Sequence, residues 1–445
     1  MRKDGLIAAV IGKDGRTTAI EQCLRASPRI STEPILLSSW KKQAEPKRTA
    51  LERAREAKPD FVVVGPEEPL ADGVVDELRG LGIPCIGPTR SLARIESSKV
   101  FARELLSKYQ IAGNPEYKVF RTNHGIASYV QGLGEYVVKP DGLTGGKGVR
   151  ISGSHLFTTQ DCLDYCAELL HGGSSAVVIE EKLDGEEFSL QAFCDGSTVV
   201  DMVVVQDHKR AFNGDAGPNT GGMGSYSCED HSLPFLRPSH LEAAKAINSA
   251  VAHALFAETG EKYKGILYGG FMATKNGVRL LEYNARFGDP EALNVLSLLK
   301  TDFVDICEAI IDGTLNQLEI CFENRATVCK YLVPEGYPEK PIVGGRIDLS
   351  RVPDESHNLK IFRAAVEEKE DGVFLSESRA IAFVGLGKDL DEAERIAENA
   401  ASSVIGPVFH RSDIGTRELV EKRVTHMRNL EDGRANRTDL GVHPG

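Results

Sequence analysis

Over roughly the first hundred residues, short apolar runs alternate with helical patterns. LIAAVIG, PILLSS, FVVVGP and IPCIGP are separated by stretches such as ALERAREAK and ADGVVDELRGLG. Strand and helix repeating in this way predict a parallel sheet with helices on both faces. Ligands of such sheets gather at the carboxyl ends of the strands. Two of these ends carry suitable residues: Gly12-Lys13-Asp14-Gly15-Arg16 after the first, and Gly65-Pro66-Glu67-Glu68-Pro69-Leu70 after the third. One helix is predicted over 91–110 and contains Lys99. From 117 to about 300 the pattern changes to longer strands, several hairpins and a few helices, as in an α+β unit.

A third region begins near 326 with ATVCKYLVPEGYP, continues through the strand AIAFVGLG and enters a helix at DLDEAERIAENAASSV. Asp389 caps that helix with Glu392 at capping-box spacing, and Ala393, Ile396, Ala397, Ala400 and Val404 form its buried stripe. After about Arg428 the chain is polar and reads as a frayed tail. No internal repeat is visible.

A chain of 445 residues is too long for one ordinary core and predicts two to four domains. The 41% apolar and 27% charged composition is that of a globular protein, and a net charge of -12 argues against a general binder of nucleic acid or anionic membrane. The opening MRKDGLIAAVIGKDG reads as a first strand and not as a signal peptide, and no segment is long and apolar enough to span a bilayer. Nine cysteines are scattered, with Cys162 and Cys166 closest together on a predicted helix. They read as buried or incidental thiols of a reducing cytosol, which places the chain in the cytoplasm.

Four segments carry chemistry. In EYVVKPDGLTGGKGVRI, residues 135–151, Val137 and Val138 read as a strand ending at Lys139, and Val149 and Ile151 start the next. Gly142, Gly145, Gly146 and Gly148 then fall in a hairpin tip whose backbone N–H groups can approach phosphate oxygens closely. Gly148 stands where a P-loop needs Ser or Thr, and no GxGxxG follows a predicted strand. The plain alternative is an ordinary glycine-rich hairpin.

In LLEYNARFGDPE, residues 280–291, Glu282 and Asn284 point to one face of a strand and Leu281 and Tyr283 to the other. Two hard oxygen ligands at that spacing suit Mg²⁺, with Arg286 further along the same face to hold a phosphoryl group. In VVIEEKLDGEEFSLQAF, residues 177–193, two strands flank a turn at Asp184-Gly185. The backbone of 181–183 can meet an adenine edge and Glu187 the ribose hydroxyls, although an acidic hairpin is the simpler reading. In QDHKRAFNGDAGPNTGGMGSYS, residues 206–227, Lys209 and Arg210 precede a long polar loop suited to an anionic substrate, while His208 reads as a surface histidine. No zinc pattern and no covalent-nucleophile motif is found.

Taken in this order, KPDGLTGGKGV, QDHKR with GPNTGGMG, and EYNARFGDPE resemble the ATP-grasp ligases, and within them the glycinamide ribonucleotide synthetases. The likeness runs from the first strand to about Leu419 in VFHRSDIGTREL. It implies a multidomain α/β and α+β fold. A Rossmann-like N-terminal domain (1–98) would precede an ATP-grasp domain (99–322) with a mobile lid at about 117–186, a small C-terminal α+β domain (323–420) and a polar tail (421–445). The activity implied is ATP-dependent ligation of glycine to 5-phosphoribosylamine through a glycyl phosphate, in purine biosynthesis, with Mg²⁺ or Mn²⁺. Its partners are these small molecules, with no nucleic acid or membrane, in a monomer or small homo-oligomer.

Carried over by position, Lys99 and Lys139 would contact the α- and β-phosphates, and Gly142, Gly145, Gly146, Lys147 and Gly148 would cover the triphosphate. Glu180, Glu181 and Leu183 would form the adenine hinge, Glu187 the ribose contact, and Glu282 and Asn284 the metal ligands. Arg286, Lys139 and Asp289 would be catalytic. Glycine and the ribosylamine would meet Gly12, Gly15, Arg16, Glu67, Asp207, Lys209, Arg210, Pro218, Asn219, Thr220, Gly221 and Gly288.

Two departures stand out. Where the family usually reads GxGGREHA, Thr17 and Thr18 replace Glu and His in the loop expected to meet the ribonucleotide phosphate. Gly270 stands where some relatives carry a Gln that adds a metal ligand. A ligase for another carboxylate and amine, and a nucleotide-binding module without turnover, therefore stay open as alternatives.

Overall fold

The computed structural model describes residues 5–37, 49–145 and 148–433. Gly146 and Lys147 of the expected flap, and the end of the tail from 434, lie outside the described residues. The first region is as its alternation predicts. Strands β1 (Ala8–Ile11), β2 (Ile35–Leu37), β3 (Phe61–Val64) and β4 (Cys85–Ile86) form one parallel sheet in the order β2-β1-β3-β4. All four residues of β1 and of β3 are buried, as continuous apolar runs covered on both faces require. Helix α1 (Gly15–Ala26) starts at the end of β1, with Asp14 as N-cap accepting from the Thr17 N–H and Thr17 completing a capping box.

The single helix expected over 91–110 is two helices, Arg90–Ser97 and Lys99–Lys108, broken at Ser98. Ser98 is extended and caps the second helix through Phe101 N–H, and Asp141 accepts from both Ser98 Oγ and Val100 N–H. A serine with two such competing partners leaves the helix for a cap, which periodicity cannot register. The break sets Lys99 on the first turn of a helix that faces the middle domain.

The middle region holds two separate four-stranded sheets. The lid sheet has the strand order Tyr117–Phe120, Val177–Glu181, Tyr136–Pro140, Arg150–Ile151, and its own apolar core includes Phe120, Val138, Cys162, Cys166 and Ile179. The core sheet has the order Val199–Asp201, Gly185–Cys194, Gly265–Thr274, Gly277–Asn284, backed by the helix Pro238–Thr259. The two strands of residues 177–193 are therefore not a hairpin. One belongs to each sheet, and residues 182–184 are the crossing between them.

Two elements of structure cross the expected boundaries. The sheet of the third region runs Gln206–Asp207, Gly224–Ser227, Ala326–Pro334, Ile381–Gly387, Leu359–Arg363, so a cut at 322 divides it from two of its own strands. The cut at 420 falls inside a helix, Arg417–Glu431, which buries Leu419, Val420 and Met427. A polar surface helix was read as a tail because its three apolar contacts are too few for a visible stripe. In the helix Leu390–Ser402, Asp389 caps Glu392 N–H as expected, while Val404 lies just beyond its end. No helix among the described residues is long and apolar enough to cross a membrane.

Candidate active site

The cleft lies between the lid sheet and the core sheet, with the first sheet's loops closing one end. Lys139 is buried at the end of a lid strand, and its Nζ lies 2.8 Å from Glu180 Oε2 and 3.1 Å from the Leu281 carbonyl. Arg103 meets the same Glu180 with Nε at 2.7 Å and Nη2 at 2.9 Å. Burial opposes the charge of Glu180, yet Arg103 and Lys139 outweigh it and hold its carboxyl down at about 2. Glu180 is thus an anchor for Lys139 and not an adenine contact: its side chain is sealed and its backbone sits between two paired strands.

Lys99 donates to the Gly142 carbonyl at 2.8 Å, so one lysine from each side meets the base of the flap. Burial, reinforced by Lys139, lowers its affinity for the proton although Glu282 pulls the other way. In the flap, Gly142 and Gly145 have φ of +115° and +56°. Gly148 is fixed differently: a Cβ there would stand 2.6 Å from the Pro140 ring, and its carbonyl accepts from Tyr165 OH at 2.9 Å.

At the crossing, Glu181 N–H is taken by the Glu116 carbonyl and Lys182 N–H by the Glu135 carbonyl. Leu183 remains as the residue of 181–183 whose N–H has no partner among the described residues. Glu187 projects from the next strand and pairs with Lys209 at 3.0 Å, a contact that raises the lysine's pKa against burial.

Glu282 contrasts with Glu180. It is solvent-accessible, and its carboxylate makes no hydrogen bond among the described residues. The protein packed around the cleft displaces some of its water and so disfavours its charge, but Lys209, Lys139, Lys99 and Arg286 together hold it ionised, below the usual carboxylate range. Asn284 is buried two residues on, opposite Tyr268, while Glu282 is opposite Gly270. No cluster of three or more His, Cys, Asp or Glu that would hold a metal exists among the described residues. One ionised, unpartnered carboxylate and one amide oxygen nevertheless fit a hard cation that completes its shell with water and phosphate oxygens. Gly270 is open here: a Cβ would make ordinary contacts with Glu282, so the missing relatives' Gln leaves space and not a clash.

Arg286 does not lie on the strand face with Glu282, since the strand ends at Asn284. It turns to the first domain, reaching Glu96 at 2.8 Å and Glu67 at 3.1 Å. Glu67 also lies 3.4 Å from Arg16, and the two arginines hold its carboxyl near 2 despite burial. Arg16 is itself 2.7 Å from Asp14 and donates to the Phe287 carbonyl at 2.8 Å. Gly12 has φ +145°, and a Cβ on Gly15 would collide with Tyr331 OH. Thr17 caps with Asp14, whereas Thr18 Oγ1 donates to the Arg363 carbonyl at 2.6 Å and so faces the third region.

Asp289 is buried between Tyr331 OH at 2.7 Å and Arg379 at 3.2 Å, while its Oδ2 accepts no hydrogen bond. Arg379 also bonds the Gly221, Gly222 and Asp289 carbonyls. Gly288 N–H donates to Gln191, and Thr220 Oγ1 to the Lys209 carbonyl. Asp207 is half-buried, and its Oδ1 is sealed without a hydrogen-bond partner, as are Asp289 Oδ2 and Gln191 Nε2; desolvation beside Glu291 raises the Asp207 pKa well above normal. Arg210 donates to Gly217 within the ribbon that it forms with Asn219 and Pro218. His208 is not at the surface. It is buried, with burial and Arg423 pushing its pKa down to about 3.

Glu96, Arg103, Gln191, Glu291, Tyr331 and Arg379 were not foreseen as part of this arrangement. Tyr331 sits within the apolar run ATVCKYLV, where a polar group requires a partner, and that was the available signal.

A lid sheet and a core sheet gripping a cleft, a lysine from each side of a glycine flap, and an open ionised carboxylate opposite them define an ATP-grasp enzyme. Biotin carboxylase domains share this fold, as in that of the Hydrogenobacter thermophilus 2-oxoglutarate carboxylase at TM-score 0.69 and 12% identity over 97% of this chain and 96% of that one. The chain belongs to the phosphoribosylglycinamide synthetase family: it matches that family's N domain over 7–96, its ATP-grasp (A) domain over 97–292 and its C domain over 327–417. It is 49% identical to the phosphoribosylamine-glycine ligase of Methanosarcina barkeri over 85% of this chain and 86% of the relative. With that of Methanocaldococcus jannaschii it shares 43% over 95% and 99%. The crystal structure of the Thermotoga maritima phosphoribosylamine-glycine ligase superposes at TM-score 0.77 with 27% identity, covering 92% of this chain and 100% of that one.

Proposed function

We propose that the chain uses ATP to join glycine to 5-phosphoribosylamine, giving glycinamide ribonucleotide, ADP and phosphate, as a cytoplasmic enzyme of purine synthesis. The observation that carries the reading is Glu282, ionised and unpartnered under four cationic side chains at the mouth of the flap. Its charge is already secured by those cations, while its two oxygens make no hydrogen bond among the described residues and so are free to take a hard cation. Mg²⁺ or Mn²⁺ would be held by Glu282 and Asn284 and would supply neutralising charge to the phosphates. The nine unpaired cysteines agree with a reducing compartment.

The rest is the work of this chain's own groups. Lys139, held by Glu180, and Lys99, on exchanging the Gly142 carbonyl for phosphate, bind the nucleotide's charge. Leu183 N–H meets the base and Glu187 the ribose. The glycine ammonium sits on Asp207, whose orphaned oxygen and raised proton affinity both call for a cationic partner. Arg286, on release from Glu67, stabilises the phosphoryl group in transit to the glycine carboxylate. The flap keeps water from the acyl phosphate until the amine attacks.

A ligase for a different amine has one observation in its favour. Asp14 already satisfies the first turn of α1 and pairs with Arg16, so the loop expected to meet a phosphate is closed on itself. ADP release, measured with glycine and phosphoribosylamine each present or omitted, decides between them. The proposed reaction requires both, and turnover with another amine in place of phosphoribosylamine overturns it.

A further inference from the structure

The helix Arg417–Glu431 begins where the family match ends, and it packs back across the strand Gly185–Cys194. Arg423 and His426 are three residues apart and so share one side of it. His426 spans two carboxylates, with Nδ1 2.6 Å from Glu186 Oε1 and Nε2 3.2 Å from Asp184 Oδ1. Both ring nitrogens then have to donate, which only the imidazolium does. Glu186 accordingly raises the pKa of His426 above its ordinary 6.5, against burial. Arg423 approaches the same Glu186 at 3.4 Å and reaches Asp215 at 2.5 Å, at the foot of the substrate ribbon.

Asp184 and Glu186 flank Gly185, where the chain passes from the lid sheet to the core sheet. That crossing is seated tightly, because a Cβ at 185 would lie 2.0 Å from the Ala273 carbonyl. Leu183 and Glu187, the base and ribose contacts of the reading above, stand immediately outside the bridged pair. A cleft of about 400 Å³ opens at the same place, lined by Leu183 and Asp184 on one side and by Asn429 and Leu430 of the helix on another.

We propose that His426 is a positioning residue for the nucleotide: its imidazolium staples Asp184 to Glu186 and so fixes the hinge that presents Leu183 N–H and Glu187. The proposal rests on the nucleotide reading of that hinge. The charged groups that face the ring are Asp184 from the crossing and Glu186 from the core strand, with Arg423 on its own helix and Asp215 beyond it. A raised folded pKa means that the bridge is fully present below 6.5 and is lost as pH climbs through the raised value.

The test is calorimetric titration of the full chain with Mg-ADP, without glycine or amine, for wild type, His426→Ala, His426→Gln and Asp184→Asn. The expected result is that His426→Ala weakens binding about tenfold. His426→Gln, whose amide NH₂ serves one carboxylate, and Asp184→Asn should each weaken it about threefold. Wild-type affinity should fall toward that of His426→Gln as pH rises from 6.5 to 9, the variant cancelling the titration of the nucleotide itself. In turnover, the apparent Michaelis constant for ATP should rise in His426→Ala while that for glycine, and kcat at saturating ATP, stay within about twofold. An unchanged nucleotide affinity in a folded His426→Ala overturns the proposal, and so does an equal rise for glycine, which would make the helix a general brace. If His426→Ala does not fold, unchanged affinity in both His426→Gln and Asp184→Asn overturns it. Absence of product with phosphoribosylamine would sink the functional reading alone and leave the binding result intact.

Discussion

Glu180 and Glu282 both feel the charge of Lys139 and both are held ionised, yet their surroundings differ in kind. Glu180 is closed in by Arg103 and Lys139, with nothing left to bind. Glu282 faces more cations in total but is touched by none, so its charge is stabilised through space and its oxygens stay free. A satisfied carboxylate builds the site and an unsatisfied one works in it. Depressed proton affinity is common to the two and does not tell them apart.

If that distinction is right, the two substitutions should fail differently. Glu180→Gln leaves Arg103 and Lys139 buried without their shared counter-charge and should cost about 3 kcal/mol or more of stability. Chemical denaturation at pH 7 measures it. Its folded pKa of about 2 lies below the ordinary 4.5, so this contribution is present above 4.5 and fades as pH falls toward 2. The stability difference between wild type and variant should shrink over that window. A difference independent of pH would remove Glu180 from the ionised anchor role.

Glu282→Gln is the counterpart. It should leave stability within about 0.5 kcal/mol of wild type while cutting turnover by about a hundredfold, with the loss only partly recovered at high Mg²⁺. A variant that is destabilised but fully active would reverse the assignment of the two carboxylates.

The same contrast explains what the sequence disclosed. Motifs drew attention to Lys99, Lys139, Glu282 and Asn284, which the fold brings to one cleft, because phosphate and metal chemistry calls for those residue types beside strand ends and glycines. The parallel sheet was legible because its strands are unbroken apolar runs. Glu180 was misread because adjacency to the hinge says nothing about which way a buried side chain pairs. For Asp289 and Arg286 the motif showed the residue types but not their partners, because Tyr331, Arg379, Glu96 and Glu67 come from other regions of the chain. His208 looked like a surface residue because its neighbours are polar. In the fold it is buried against Tyr226 and feels the charge of Arg423 and Arg411, residues of the C-terminal segment some two hundred positions away.

A smaller effect tests whether the closed first loop still serves the amine substrate. Arg16→Ala should raise the apparent Michaelis constant for phosphoribosylamine about tenfold and leave that for ATP within about twofold, since Arg16 belongs to the first sheet's loop. A change confined to ATP would place Arg16 in the support of Arg286 through Glu67, on the nucleotide side.

The least effect, and the most direct view of the open half of the site, lies in the flap. Gly142 and Gly145 take positive φ, and a Cβ on either would meet nothing within 4 Å, so this end of the loop is held by the Lys99 bond to the Gly142 carbonyl and not by packing. Gly148, by contrast, is pinned by Tyr165 and by the Pro140 ring. Amide exchange at Gly142 and Gly145 should therefore be fast in the free protein and slow several-fold with Mg-ATP, as phosphate oxygens become acceptors. Gly148 should change less, because its surroundings are already complete. Tyr165→Phe removes the hydroxyl that holds the Gly148 carbonyl and should make the two ends of the flap exchange alike. Equal protection at both ends, unaffected by nucleotide, would mean that the loop does not close on phosphate, and the open carboxylate opposite it would need another explanation.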